Sequence, residues 1–232
     1  FVLFSSPCNP TGTVFTREEL QAYADVVAQH EHILIVSDEI YEYINFTHEH
    51  VSIGSFPNVK DRTITINGFA KGFAMTGWRL GYIAAPVEIA KACDKIQGQF
   101  TSGANSIAQR AAIEALLGDL RPTAIMVQKF KERRNKVMEL MRDIPGISAH
   151  EPPGAFYVFP DVSSYFGKQT SDGTVIQNAD DLCMFFLNKA HVSVVTGRAF
   201  GEDKCIRISF ANSTQNIVNG FEKIKQALAQ LH

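Results

Sequence analysis

Short apolar runs alternate with longer stretches of helical period through the first half of the chain. Phe1 to Phe4 reads as the end of a buried strand, closed by a polar turn from Ser5 to Gly12 that contains Asn-Pro and Thr-Gly breakers. A helix follows: Thr16 and Glu19 form a capping box, and Leu20, Tyr23, Ala24 and Val27 share one face. Ile33 to Val36 is a continuous apolar run of the kind buried on both faces of a parallel sheet. It ends in Ser-Asp-Glu-Ile-Tyr, which places Asp38 and Tyr41 at or just past the strand's C-terminal end. Thr63 to Ile66, running into Asn-Gly-Phe-Ala-Lys, repeats the pattern, and so does Leu80 to Ala85, closed by Pro86. Strands alternating with helices predict an α/β sheet, whose ligands bind in crevices at the carboxyl ends of strands. Asn9, Asp38 and Lys71 each follow such a strand and are expected to converge on one crevice.

Helices are expected around Val87 to Gln97 and Ser106 to Leu117, with Gly118 and Pro122 as punctuation. A long charged helix from roughly Thr123 to Arg142 then ends at Pro145-Gly146. The domain change is placed near residue 120, giving a first domain at 1–120 and a smaller one at 121–232, with this helix as the bridge. The second domain reads as α+β. It has a strand at Ala155 to Phe159, a Gly- and Ser-rich loop around 163–178 and a helix from about Asp180 to Lys189. Strands follow at Val192 to Val195 and Ile206 to Phe210. In the last helix Ile217, Phe221, Ile224, Leu228 and Leu231 recur at spacings of 4, 3, 4 and 3, a face that packs on the small sheet.

Composition narrows the partners. The chain has 232 residues, 45% of them hydrophobic, and a net charge of -2, an ordinary globular balance with no basic excess to favour nucleic acid or an anionic membrane. The 4 cysteines, Cys8, Cys93, Cys183 and Cys205, lie far apart and form no CxxC pair. Reduced thiols and a cytoplasmic setting are the expectation. No apolar run approaches the ~20 residues of a membrane-spanning helix, and no signal-peptide pattern is present. The abrupt, strand-like start without Met points to a segment of a longer polypeptide.

Several residues carry candidate chemistry, each with a plainer alternative. Lys71 stands among Phe69, Ala70, Phe73 and Ala74, where desolvation favours a neutral, imine-forming amine; the alternative is a stem lying on apolar surface with its head in water. Arg79 suits a phosphate or carboxylate clamp, or a structural ion pair. Asp38 suits a counter-ion for a protonated ring nitrogen, or the cap of the next turn. Tyr41 and Asn9 are hydrogen-bonding groups with ordinary turn or packing roles as alternatives. Arg207 lies inside an apolar strand pattern, where a guanidinium needs an anionic ligand or a strand-edge ion pair. His48-Glu49-His50 resembles a metal pair without a third ligand of suitable spacing nearby, and no metal is expected. Trp78 and the Phe-rich stretches read as core or interface.

In combination and order, "NPTG", "SDEIY", "NGFAKGFAMTGWRLGY" and "IRISFANS" resemble the class I aminotransferases of the fold-type I pyridoxal phosphate family, in particular the bacterial aspartate-aminotransferase-like branch. The resemblance spans nearly the whole chain, including "PPGAFYVFPDV" at 152–162 and "IAQRAAIEAL" at 107–116. It implies the C-terminal part of that fold: a truncated, mostly parallel sheet of the large domain followed by the small α+β domain. It implies pyridoxal 5'-phosphate as cofactor and transfer of an amino group between an aspartate-like amino acid and a 2-oxo acid, with ping-pong kinetics. Lys71 would form the imine with the cofactor and carry the proton at the substrate Cα. Asp38 would pair with the pyridine nitrogen, Asn9 and Tyr41 with the phenolate oxygen, and Arg79 with the phosphate. Arg207 would take the substrate α-carboxylate. The family's homodimeric architecture implies that residues around Gln97 to Asn105 serve the neighbouring site.

Departures from the family pattern are Gly68 where many members carry serine, Thr196-Gly197 in place of Pro-Gly, and Arg198 where a small residue is usual. The family's N-terminal portion, with its phosphate-holding turn and ring-stacking aromatic residue, has no counterpart in this sequence. The expectation is therefore a fragment that is inactive alone, with exposed sheet edges that pair or associate. Two other readings share these motifs: a different fold-type I enzyme such as a carbon-sulfur lyase, and a non-catalytic aminotransferase-like sensor of a transcription regulator.

Overall fold

The computed structural model describes residues 1–47 and 49–232. The chain divides into two compact units. The first comprises Phe1–Cys8, Thr13–Val127 and Pro153–Ala155, and the second Asn9–Gly12, Gln128–Pro152 and Phe156–His232.

The first unit is built on a four-stranded sheet, β1 (Val2–Ser5), β2 (Ile35–Asp38), β3 (Thr63–Gly68) and β4 (Gly81–Ala84), in that spatial order. The first three strands are parallel, with Ser5 opposite Asp38 and Asp38 opposite Ile66, whereas β4 returns antiparallel to β3. Helix α1 (Arg17–Ala28) begins as the capping box requires: Thr16 Oγ1 accepts from Glu19 N–H, and the Glu19 carboxylate accepts from Thr16 N–H. Its buried Leu20, Ala24 and Val27 join Ile35, Ile53, Phe56 and Val59 in one core cluster. Strand β2 starts at Ile35, later than the apolar run suggests, because the Ile33 N–H is used by a turn bond to the His30 carbonyl. Burial along β2 alternates, with Ile35 and Ser37 buried and Val36 and Asp38 half-buried, so the strand is not fully buried on both faces.

Helices α2 (Val87–Phe100) and α3 (Ser106–Leu117) follow, α3 capped by the Asn105 side chain. Helix α4 (Arg121–Arg142) starts two residues before the expected Thr123, so Pro122 does not interrupt it. Proline fits a first turn, where its missing N–H has no intrahelical partner. The division between the units falls inside α4.

The second unit holds a three-stranded antiparallel sheet in the order β5 (Tyr157–Val158), β7 (Ile206–Ser209), β6 (Val195–Thr196). Strand β5 is shorter than the sequence pattern suggests: Ala155 is left-handed at φ 54 and gives its N–H to the Ile44 carbonyl, and Pro160 closes the other end. The expected strand at Val192–Val195 shrinks to β6, because His191 is left-handed at φ 54 and Val192 N–H bonds back to the Phe186 carbonyl. Helix α5 (Ala179–Phe185) passes into a π-helical turn at Phe186–Ala190. Helix α6 (Thr214–Leu228) buries Ile217, Phe221, Ile224 and Leu228, with Leu231 buried just beyond its end.

Candidate active site

Asp38 is the last residue of β2 and Lys71 lies in the turns after β3, so two adjacent parallel strands deliver both toward the same sheet end. The Asp38 Oδ1 accepts from Ile40 N–H at 3.1 Å, the local capping role anticipated as its alternative. Its carboxylate makes no further hydrogen bond among the described residues, which leaves Oδ2 available for a cationic donor. Tyr41, 4% exposed, occupies the following turn. Lys71 is half-buried, and its Nζ lies 5.6 Å from the centroid of the Tyr41 ring.

The segment around Lys71 is held by backbone and by rings. Ala74 N–H bonds to the Lys71 carbonyl, Met75 N–H to that of Phe69, and the buried Thr123 hydroxyl donates to the Gly72 carbonyl at 3.1 Å. Phe73 packs on Tyr43 and Phe69 with ring centroids 5.2 and 5.6 Å apart, and Phe69 packs on Tyr82 at 5.8 Å. Two non-glycine residues here are left-handed, Ala74 at φ 53 and Arg79 at φ 55. Such backbone is costly and persists where surrounding structure enforces it. Arg79 is exposed, and its Nη1 donates to the Thr76 carbonyl at 2.9 Å. Trp78, expected in a core or interface, is 46% exposed.

Asn9 groups with the second unit, where its Oδ1 accepts from Arg207 Nη1 at 2.8 Å. The Arg207 guanidinium lies between two rings, 4.5 Å from the Tyr157 centroid and 4.9 Å from that of Phe200. It has no carboxylate partner among the described residues, and β7 is the central strand of its sheet, so the strand-edge ion pair is not what is found. A half-buried cation with one amide partner and two ring faces retains N–H donors for an anion. Tyr157 and Phe200 went unnoticed as site residues, since only the strand register brings Tyr157 diagonally across from Arg207.

His48 lies outside the described residues. His50 instead serves a buried carboxylate: its Nε2 donates to Glu39 Oε2 at 2.9 Å. Among the described residues no group of three or more His, Cys, Asp or Glu side chains is arranged to hold a metal ion. Nearby, burial pushes the Glu42 carboxyl above its ordinary range, with His50 and a hydrogen bond to Asn67 acting the other way and Glu39 adding to the rise.

Fold and residues define the class first: an α/β unit whose strand ends carry an amine and a carboxylate, and an α+β unit with an arginine that has no carboxylate partner among the described residues. The chain matches the family described as aminotransferase class I and II over residues 1–224. It belongs to that family. It is 48% identical over 236 residues to a bifunctional aspartate aminotransferase and glutamate/aspartate-prephenate aminotransferase of Petunia hybrida, covering 99% of this chain and 49% of the relative. It is 38% identical to an aspartate/prephenate aminotransferase of Cereibacter sphaeroides, covering 99% and 58%. The crystal structure of the aspartate aminotransferase from Rhizobium meliloti superposes with a TM-score of 0.94 at 36% identity, over 99% of this chain and 58% of that one. The chain thus spans about half the length of the curated relatives it matches. No helix among the described residues is long and apolar enough to cross a membrane.

Proposed function

We propose that the whole protein transfers an amino group between an amino acid, aspartate-like by similarity to its relatives, and a 2-oxo acid, using pyridoxal phosphate and working as a homodimer. Class I aminotransferases of the aspartate aminotransferase type use this cofactor, and the donor set here fits it. The observation that carries the reading is the placement of half-buried Lys71, 5.6 Å from the Tyr41 ring, and of Asp38, whose Oδ2 makes no hydrogen bond among the described residues, after the ends of adjacent parallel strands.

When bound, pyridoxal phosphate supplies an electron sink for the carbanion that forms at the substrate Cα. In this reading Asp38 Oδ2 holds a proton on the ring nitrogen and so favours the sink. Lys71 Nζ removes and returns the proton at Cα, work suited to an amine in a partly desolvated setting. The Tyr41 hydroxyl and the Asn9 amide donate to the phenolate oxygen. Arg79 binds phosphate oxygens through its fork, and Arg207 binds the α-carboxylate with the donors left over from its bond to Asn9.

The test is the absorption spectrum of the protein after equilibration with pyridoxal phosphate and dialysis, alongside Lys71→Ala. A near-visible band in the unaltered protein alone is expected. A band of equal strength in Lys71→Ala overturns the assignment of Lys71. In turnover by the intact enzyme, Lys71→Ala lowers kcat by about 10²–10⁴-fold or more. Double-reciprocal plots at varied 2-oxo acid are parallel, and intersecting lines would exclude the two-step exchange.

A further inference from the structure

Glu39 follows Asp38 directly and is 3% exposed. A carboxylate that deep is costly unless its lone pairs are met. The Ser37 and Ser52 hydroxyls donate to its Oε1 at 2.9 and 2.8 Å, and His50 Nε2 donates to its Oε2 at 2.9 Å. Its main chain is tied as well: Glu39 N–H donates to the Ile66 carbonyl of β3 at 2.8 Å, and the Glu39 carbonyl accepts from Glu42 N–H at 2.9 Å. None of the hydroxyl, imidazole or carboxylate groups in this network has a part in the chemistry proposed above.

Glu39 lies one residue past β2 but still bonds to β3 through its N–H, so the alternation of the strand carries through it: Ser37 and Glu39 share one face while Asp38 leaves from the other. The Ser37–Glu39 hydrogen bond therefore clamps the residues on both sides of Asp38, and the bond from Glu42 N–H opens the turn that carries Tyr41. A charge here also acts at a distance: an anion next to Asp38 favours any cation that Asp38 holds.

We propose that Glu39, held by His50, Ser52 and Ser37, is a positioning residue for Asp38 and Tyr41, fixing their direction and supplying a second negative charge behind the ring-nitrogen site. The proposal rests on the reading of Asp38 as partner of the pyridoxal phosphate ring. Among the described residues, Glu42 and Tyr82 feel the Glu39 charge, and Lys60 and Asp61 line the same cavity as Glu39 and Ser52, so any pH titration of the network must include them.

The experiment uses the intact protein, its Glu39→Gln and Glu39→Ala variants, and His32→Gln as a surface control. Pyridoxal phosphate affinity is read by equilibrium dialysis, and the pH midpoint of the bound cofactor's visible absorption by titration. Glu39→Gln keeps an acceptor for both serines but removes the charge. It is expected to melt close to the unaltered protein, to bind the cofactor roughly tenfold more weakly, and to titrate at lower pH because a nearby anion is gone. Affinity within twofold and an unmoved midpoint in Glu39→Gln overturn the proposal, even if Glu39→Ala fails to fold. Weaker binding with an unmoved midpoint and a much lower melting temperature also overturns it, since Glu39 is then structural only. If the unaltered protein takes up no cofactor, the functional reading fails first and the anchor falls with it. A Lys71-dependent band together with an indifferent Glu39→Gln sinks the anchor alone.

Discussion

At Arg207 two rings lie against the guanidinium and Asn9 takes one donor, the arrangement on which its proposed part in carboxylate binding rests. A lysine there would keep the charge and lose the planar fork. Arg207→Lys is accordingly expected to raise KM for the amino acid by roughly 10–100-fold with a smaller change in kcat, and unchanged KM would remove Arg207 from substrate binding. Glu42 makes a different test. Its folded pKa is raised, chiefly by desolvation, so its contribution to stability is complete below the ordinary carboxylate range and is lost as pH rises through the raised folded value. Glu42→Gln should therefore flatten the melting temperature between mildly acidic and neutral pH, and an equally steep profile in the variant would contradict this. Two thiols are similarly shielded: burial and neighbouring carboxylates push Cys183 and Cys205 up to about 11, so alkylation at pH 8 should leave them largely unmodified by mass spectrometry. At this scale the sequence singled out Lys71, Asp38 and Arg79 from contiguous motifs, and their roles remain the proposal tested above. The rings on Arg207 and the anchor on Glu39 were not readable. Their members are brought together by strand pairing and by a histidine 11 positions away, and neither leaves a periodic trace.

Among the elements, β3 and β4 explain a departure from the family pattern. A Cβ on Gly68 would lie 2.8 Å from Gly81 Cα and 2.9 Å from the Leu80 carbonyl oxygen, so the serine common at this position has no room against this particular backbone. Gly68→Ala is expected to cost about 1–3 kcal/mol, seen as a lower urea midpoint, and full stability would show that β4 can move aside. Helices were legible to within two or three residues at most ends, because caps and 3.6-residue periodicity are written locally: the Thr16–Glu19 box and the α6 face both stand as expected. The short strands of the second unit were not. Left-handed Ala155 and His191, neither a glycine, cut β5 and β6 down to two residues each, and sequence alone gives no warning of such turns.

Across the whole molecule, apolar side chains reach solvent in unusual number. Every residue of β4 is exposed and α2 buries none, while Phe100 and Leu117 are 84% and 82% exposed and Phe1, just before the edge strand β1, is 86% exposed. Surfaces of this kind drive association, so this chain prepared alone is expected to grow in hydrodynamic radius with concentration; a constant monomer radius by light scattering would refute that. The alternation of strands and helices told the architecture from the sequence, and the parallel core of the first unit follows it. The antiparallel direction of β4 was beyond reach, since an apolar run carries no arrow. One last property belongs to the molecule entire. Its only tryptophan, Trp78, is half open to water and adjoins Arg79, so all indole emission comes from beside the proposed phosphate-binding arginine. The chain thus carries its own unlabelled optical gauge of that spot, readable in a cuvette as anions are added.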